Sequence, residues 1–271
     1  MKKIPIAAQP LPTFDLLNKI VTELGATKLS FWPFLNATGT TVFPYGSGSD
    51  GLLVTMGSAI ESVFDPHRHV SGIYSVANDG TAAGNAISSA DSANYSFGDS
   101  TIDSPFSVGA WILMQEAVGT ARSILSKYGS TAAAKEWDFR FGTNGKLVLE
   151  LLDESVVGDA SEIATSTGTA LTPFIWQFVV ATYDGGEDAP VINLYINATS
   201  VHDGTSVETN AYVAMEDLAA VLMIGMRDAA GTPAQVFQGR IALPFVTGKE
   251  LTAANISAIY YLGQRLLGLR A

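Results

Sequence analysis

The sequence predicts an all-β protein, a jelly-roll or sandwich of two antiparallel sheets with a short helix near each end. Three observations carry this. Short apolar runs recur along the chain, most of them bounded by Gly, Asn, Asp or Pro. Several alternate apolar with polar residues, so that Trp137, Phe139 and Phe141 share one strand face. The composition, 26 Gly and 11 Pro with only 15% charged residues in 271, suits many strands joined by tight turns. Hydrophobic residues at 47% allow a sizeable core and carry no signature of disorder.

Residues 1–12 read as an extended arm, and "TFDLLNKIVTELG" follows as one short helix. Thr13 or Asp15 is positioned to cap it and Gly25 to end it. Leu16, Leu17, Ile20, Val21 and Leu24 fall on one side at helical spacing. That face packs on the chain's own body in the favoured reading; in the alternative it docks on a neighbouring subunit. The predicted division is 1–27 as arm and helix and 28–271 as one β domain.

From Lys28 the pattern turns to strands, with "KLSFWPF", a turn at "NATGTT", and "DGLLVTMG" after a Gly/Ser-rich loop. Residues 77–104 are poor in bulky apolar groups and are expected to be mostly loop, with "NYSFG" as a brief strand. Strands are then predicted at "FSVGAWIL", "RSILSKYG", "EWDFRFG", "KLVLELLD", "WQFVVATYDG", "VINLYIN", "AVLMIGMR" and "QGRIALPFV". Asn144-Gly145 suits a tight hairpin turn. A closing helix starts at a Thr252 cap, with Ile256, Ile259, Tyr260 and Leu262 inward, and the apolar tail "RLLGLRA" is expected to be tucked against the body.

The net charge of −11 repels nucleic acid and anionic membranes, and no Lys/Arg cluster overrides it. There are no cysteines, which removes disulfides, cysteine–zinc sites and thiol catalysis. The start has a signal peptide's lysines, but Pro5, Pro10 and Pro12 break up its only apolar stretch. No apolar run approaches the roughly 20 residues of a membrane span. The expectation is that neither Sec-type export nor membrane insertion is directed here.

The order of segments resembles the concanavalin A-like jelly-roll superfamily, specifically its laminin-G-like branch. "FWPFLNATGTTVF", Asp50-Gly51-Leu52, "NYSFGDSTIDSPFSVGAWI", "SILSKYG", "WQFVVATYDGG", "INLYINATSV" and the closing stretch from "MIGMRDAAG" to "ISAIY" look like the family's landmarks in the family's order. The resemblance covers about residues 28–263. It implies two antiparallel sheets, one of them concave, in proteins that bind sugars, bind proteins or serve as spacers, with a few glycosidases among them. Fold alone does not choose between these.

The stretch "KEWDFRFG" puts Glu136, Asp138 and Arg140 on one strand face. Glycosidases of the superfamily typically carry an acid–x–acid–x–acid strand, and the third position here is Arg140. Its guanidinium lowers neighbouring carboxylate pKa values and disfavours the protonated acid that retaining hydrolysis needs. The favoured reading is a charged, solvent-facing strand side with Arg140 balancing the acids, and no catalytic residues. His67 and His69 in "DPHRHVSG" can share a metal with Asp65, but surface-loop residues are the simpler reading. His202 is expected to be exposed. Asp99, Asp103, Asp184, Glu187, Asp188 and Asp228 are loop acids able to contribute to a calcium site. Many laminin-G-like members carry an Asp-Glu pair where this chain has Ala242 and Leu243, so no metal or cofactor is expected. Asn36, Asn94, Asn197 and Asn255 match the N-glycosylation acceptor by chance, Asn255 within a predicted helix. P-loop, G-x-S-x-G and HExxH motifs are absent from the sequence.

An extracellular-type recognition fold without export signal, anchor or disulfides fits a tailed-bacteriophage particle, assembled in a reducing host cytoplasm and released by lysis. The first expectation is therefore a non-enzymatic structural virion protein, a capsid decoration or surface protein, partnered by other virion proteins and itself oligomeric. The alternative is a carbohydrate-binding, lectin-like adhesin module. Tyr45, Tyr74, Tyr128 and Tyr212 are its candidate ring-stacking residues because they fall in loops or at strand ends.

Overall fold

The computed structural model describes residues 12–35, 41–42, 45, 53–56, 76–79, 86–129, 134–155, 160–168, 170–186, 191–202, 206–229 and 232–269. One sheet has seven strands. Its path runs β1 (Ser30–Phe31), β18 (Gln238–Thr247), β6 (Phe106–Met114), β11 (Trp176–Tyr183), β12 (Ile192–Ile196), β13 (Thr199–Ser200), with β4 (Val76–Asp79) also on β18. The other has nine, in the order β14 (Ser206–Thr209), β10 (Ala160–Thr165), β9 (Leu147–Asp153), β8 (Lys135–Phe141), β7 (Arg122–Tyr128), β15 (Leu222–Ile224), β5 (Ala86–Ser89), β3 (Leu53–Met56), β2 (Thr41–Val42). A small hairpin, β16 (Arg227–Ala229) with β17 (Thr232–Ala234), follows β15. Neighbouring strands are antiparallel throughout the two central ladders, as the predicted sandwich requires.

β6 and β11 read as nearly unbroken apolar runs because both of their faces are buried. Val108, Ala110, Ile112, Val179, Ala181 and Tyr183 point into the core between the sheets. Trp111, Phe178 and Val180 point the other way, into a second core roofed by α1 (Pro12–Leu24) and α2 (Ala253–Leu267). Leu16, Leu17, Ile20 and Leu24 complete that core, so the apolar face of α1 packs on its own chain rather than on a neighbour. Asn255 Nδ2 donates to Glu23 Oε2 at 2.7 Å and ties the helices together.

Local signals account for the helix ends. Thr252 and Asn255 form a capping box, and Gly268 closes α2 in the left-handed conformation. Gly25, at φ 81°, ends α1 with its N–H on Val21 O. The start of α1 differs from expectation: the helix includes Pro12, so Thr13 and Asp15 lie in its first turn, where Asp15 pairs with Lys19 at 3.0 Å. Proline suits that first turn because its missing N–H has no helical partner there. The span 77–104 also differs, since β4 and β5 pair on β18 and on β3 and β15. Small residues serve in these strands because pairing needs main chain, not bulk. "NYSFG" is loop, with one bridge from Gly98 to Asp103.

Helix α2 approaches its sheet at Gly263. A Cβ there would lie 2.2 Å from Trp111 Nε1, and the indole stacks on Tyr260 with ring centroids 5.4 Å apart. A side chain at 263 must displace a fully buried tryptophan. Gly263→Val is expected to cost about 1–3 kcal/mol, read from the urea unfolding midpoint; an unchanged midpoint would show that α2 can lift without loss.

Candidate functional site

The side of β8 opposite the core carries the acids singled out in the sequence, and it is not the wet strand side expected. Glu136 and Asp138 are both fully buried. The reason is that other chain segments cover them. Ser96, Leu218 and Lys127 close over Glu136, and the β16–β17 hairpin brings Arg227 over Asp138.

Glu136 Oε1 receives the Lys127 ammonium, the Leu218 N–H at 2.9 Å and the Ser96 hydroxyl. Its Oε2 is buried with no hydrogen-bond partner. Lys127 is itself fully buried and also donates to Leu218 O at 2.6 Å and pairs with Asp91 at 3.0 Å. Burial pushes the Glu136 carboxyl up to about 7, against the pull of Lys127 and the donated hydrogen bonds. No substrate can reach a carboxyl sealed on all sides, so Glu136 and Asp138 do not form an accessible two-carboxyl hydrolytic pair.

Asp138 is the centre of a second, partly open cluster. Ser123 Oγ donates to Oδ1, and Arg227 Nη1 and Arg140 Nη1 lie 3.4 and 3.7 Å from Oδ2. Arg140 also holds Glu150 at 2.6 Å, so it balances Asp138 but not Glu136. Burial raises the Asp138 carboxyl above its ordinary value against Arg140, Ser123 and Arg227. The Arg227 guanidinium sits 4.5 Å over the ring of Tyr128, and Lys135 Nζ lies 5.8 Å from the same ring. Lys135 is paired with Glu154 at 3.0 Å. Burial raises the Tyr128 phenol, so its hydroxyl is neutral at pH 7 and able both to donate and to accept. β7, β8 and β9 supply Tyr128, Asp138, Arg140 and Glu150. Arg227 arrives because Gly225, at φ 83°, turns the chain and Ser126 Oγ pins Met226 O at 2.9 Å.

The remaining candidates are dispersed. Tyr212 is buried in the main core with its hydroxyl on Asp103, and Tyr45 packs against α1, bonded to Asn18 Oδ1 at 3.0 Å. Neither offers a ring face to a ligand. Asp103 is spent on the hydroxyls of Tyr183 and Tyr212 and on Met215 N–H. Asp99 caps the amides of Thr101 and Ile102, and Asp184 those of Gly186 and Val191. Asp228 is in β16. Among the described residues no three His, Cys, Asp or Glu side chains converge on a common point. Ala242 and Leu243 are buried in the second core. His202 is half-buried rather than exposed, because Val201 beside it is bound into the core edge through Leu194 O. Asn197 accepts from Phe178 N–H at 2.9 Å, and Asn255 is the third residue of α2's cap. His67, His69, Asp65, Tyr74, Glu187, Asp188 and Asn36 lie outside the described residues.

The architecture, two large antiparallel sheets packed face to face, is that of a jelly-roll sandwich. A laminin-G-type family model, described as the concanavalin A-like lectin/glucanases superfamily, matches residues 79–257, and the chain belongs to that family. Among curated protein sequences, none matches. Among solved structures, the fold is similar to the binding domain of botulinum neurotoxin serotype G, with TM-score 0.59, 14% identity, and 88% of this chain and 51% of that chain covered. The serotype D ligand-binding domain in complex with N-acetylneuraminic acid matches with TM-score 0.58, 16% identity, and coverage of 92% of this chain and 53% of that one. Domain 4 of AbnA, a GH43 extracellular arabinanase from Geobacillus stearothermophilus, in complex with arabinotriose, matches with TM-score 0.55, 14% identity, and coverage of 87% and 100%. The chain spans about half the length of the toxin binding domains it resembles.

The buried Glu136 gives a pH test. Below its ordinary value of 4.5 both folded and unfolded chains hold the proton; between 4.5 and about 7 only the folded chain keeps it. Stability from this group is therefore full at low pH and is lost as pH rises through that window, by on the order of a few kcal/mol. Glu136→Gln is expected to flatten that part of the pH profile of chemical unfolding; an identical slope in the variant would show that Glu136 is ionised throughout.

Proposed function

We propose that the chain is a carbohydrate-binding module and that the cluster around Tyr128 and Arg227 is its glycan site. The observation that carries this is the combination on one sheet face of a half-buried tyrosine with partly exposed Arg140, Glu150 and Arg227. Sugar hydroxyls both donate and accept, and this face offers guanidinium donors, carboxylate acceptors and a phenol that does either. The family match supports the reading, as do the sugars held by two similar structures, N-acetylneuraminic acid in one and arabinotriose in the other. Binding without catalysis is the activity proposed, since the two strand acids are sealed in salt bridges and hydrogen bonds.

A structural role in a bacteriophage particle, with virion localisation, is the second reading. What favours it is the cysteine-free chain, which suits folding in a reducing compartment. The cis packing of α1 removes the helix face it would have used to dock. The two readings are compatible, because a particle-surface protein can hold glycans.

A broad glycan array, with and without calcium, tests the first reading. Saturable binding is expected, with Tyr128→Ala and Arg227→Ala each weakening it at least tenfold, about 1.4 kcal/mol. Tyr261→Ala, at an exposed position on α2, is expected to bind as the wild type does. No saturable binding, or binding intact in both site variants, rejects the reading.

A further inference from the structure

Residues 210–221 connect β14 to β15, and the sheet order places β10, β9, β8 and β7 between those two strands. At about 4.8 Å per strand spacing the connection spans about 24 Å, more than half the reach of a dozen extended residues. It crosses the strand ends without helix or strand of its own. Tyr212 and Met215 plug the core between the sheets, and Ala214 and Ala220 are fully buried. Backbone donors buried in this way need acceptors that no ladder supplies.

Buried carboxyl groups supply them. Val213 N–H donates to Asp153 Oδ2 at 3.0 Å, Met215 N–H to Asp103 Oδ1 at 2.9 Å, and Leu218 N–H to Glu136 Oε1 at 2.9 Å. Glu216 works in the opposite sense. It projects from the crossing segment and accepts the N–H groups of Glu154 and Ser155, at 3.0 and 2.8 Å. Two of these groups carry a penalty when ionised. Glu216 Oε1 and Asp153 Oδ1 share the Ser155 N–H, at 2.8 and 3.0 Å, so the two carboxyl groups adjoin, and burial with this neighbour raises Glu216. Glu136 keeps an unpartnered buried oxygen.

We infer that residues 210–221 form a strap, clamped over one end of the sandwich by buried carboxyl groups, that opens as pH rises while the two sheets stay folded. Water reaching Glu136 and Glu216 in the open form restores their ordinary acidity, so each proton lost above that range favours opening. Among the described residues the charged groups facing them are few. Lys127 and, beyond it, Asp91 face Glu136; Asp153 faces Glu216, with Glu154 beside it paired to Lys135; Asp103 is bonded to Tyr183 and Tyr212. Asp217, next to Glu216, is exposed. Burial raises both Glu136 and Glu216, while hydrogen bonds from Ser155 and Val213 overcome burial at Asp153 and hold it low.

Amide hydrogen exchange on the full chain, without any glycan, tests this independently of the binding proposal. Protection at Val213, Met215 and Leu218 is compared with that of β6 and β11 from pH 5 to 8, after dividing out the chemical exchange rate. The strap-to-sheet ratio is expected to fall at least tenfold, the effect of one pH unit on one proton. The Glu136→Gln, Glu216→Gln double variant is expected to hold its ratio constant. A constant wild-type ratio overturns the inference, as does loss of protection by strap and sheets together. If the double variant does not fold, the wild-type profile decides alone.

Discussion

The interaction on which the rest of the molecule depends is the packing of Trp111 and Phe178 against the two helices. Their ring centroids lie 5.4 Å apart, and Tyr260 of α2 stacks on the indole. This contact dries the second face of β6 and β11, which already face the main core with their other side chains. A sheet sealed on both faces has no room for a polar ligand. Most charged side chains of the described strands belong instead to the nine-stranded sheet, with Glu136, Asp138, Arg140 and Glu150 on its outer face, and the glycan proposal follows from that division of surfaces.

A second constraint is the supply of hydrogen-bond acceptors to irregular chain. Long crossings at the sandwich ends cannot pair as strands, and carboxylates take the place of the missing ladder. Asp99, Asp103, Asp153, Asp184, Glu136 and Glu216 all accept main-chain N–H groups. A carboxylate engaged in this way has fewer lone pairs to offer a cation, which is why acids that look like calcium ligands in the sequence act as loop anchors in the fold.

The fold was legible because its signals are local. Alternation in Trp137, Phe139 and Phe141, the Asn144-Gly145 turn and the Thr252 cap each act within a few residues, and each is found as read, with Gly145 at φ 73°. The site was half legible. The shared face of Glu136, Asp138 and Arg140 follows from strand geometry alone, and Tyr128 was already a candidate. Their burial does not follow, because the covering residues are distant in sequence: Leu218 meets Glu136 across 82 positions and Arg227 meets Asp138 across 89. Arg227, Lys127 and Glu216 carry no motif. The one hint was that Arg227-Asp228 follows a glycine directly after an apolar run, which marks a turn but not where it lands.

The two helices occupy one layer, on the side of the seven-stranded sheet that faces away from the Tyr128 cluster. A tether joined beyond either helix would leave from the back of the sandwich. A support carrying many copies anchored this way would show the Tyr128 faces outward in a common orientation. Individually weak contacts would then add through multivalency, with the local density of copies setting the strength of the grip.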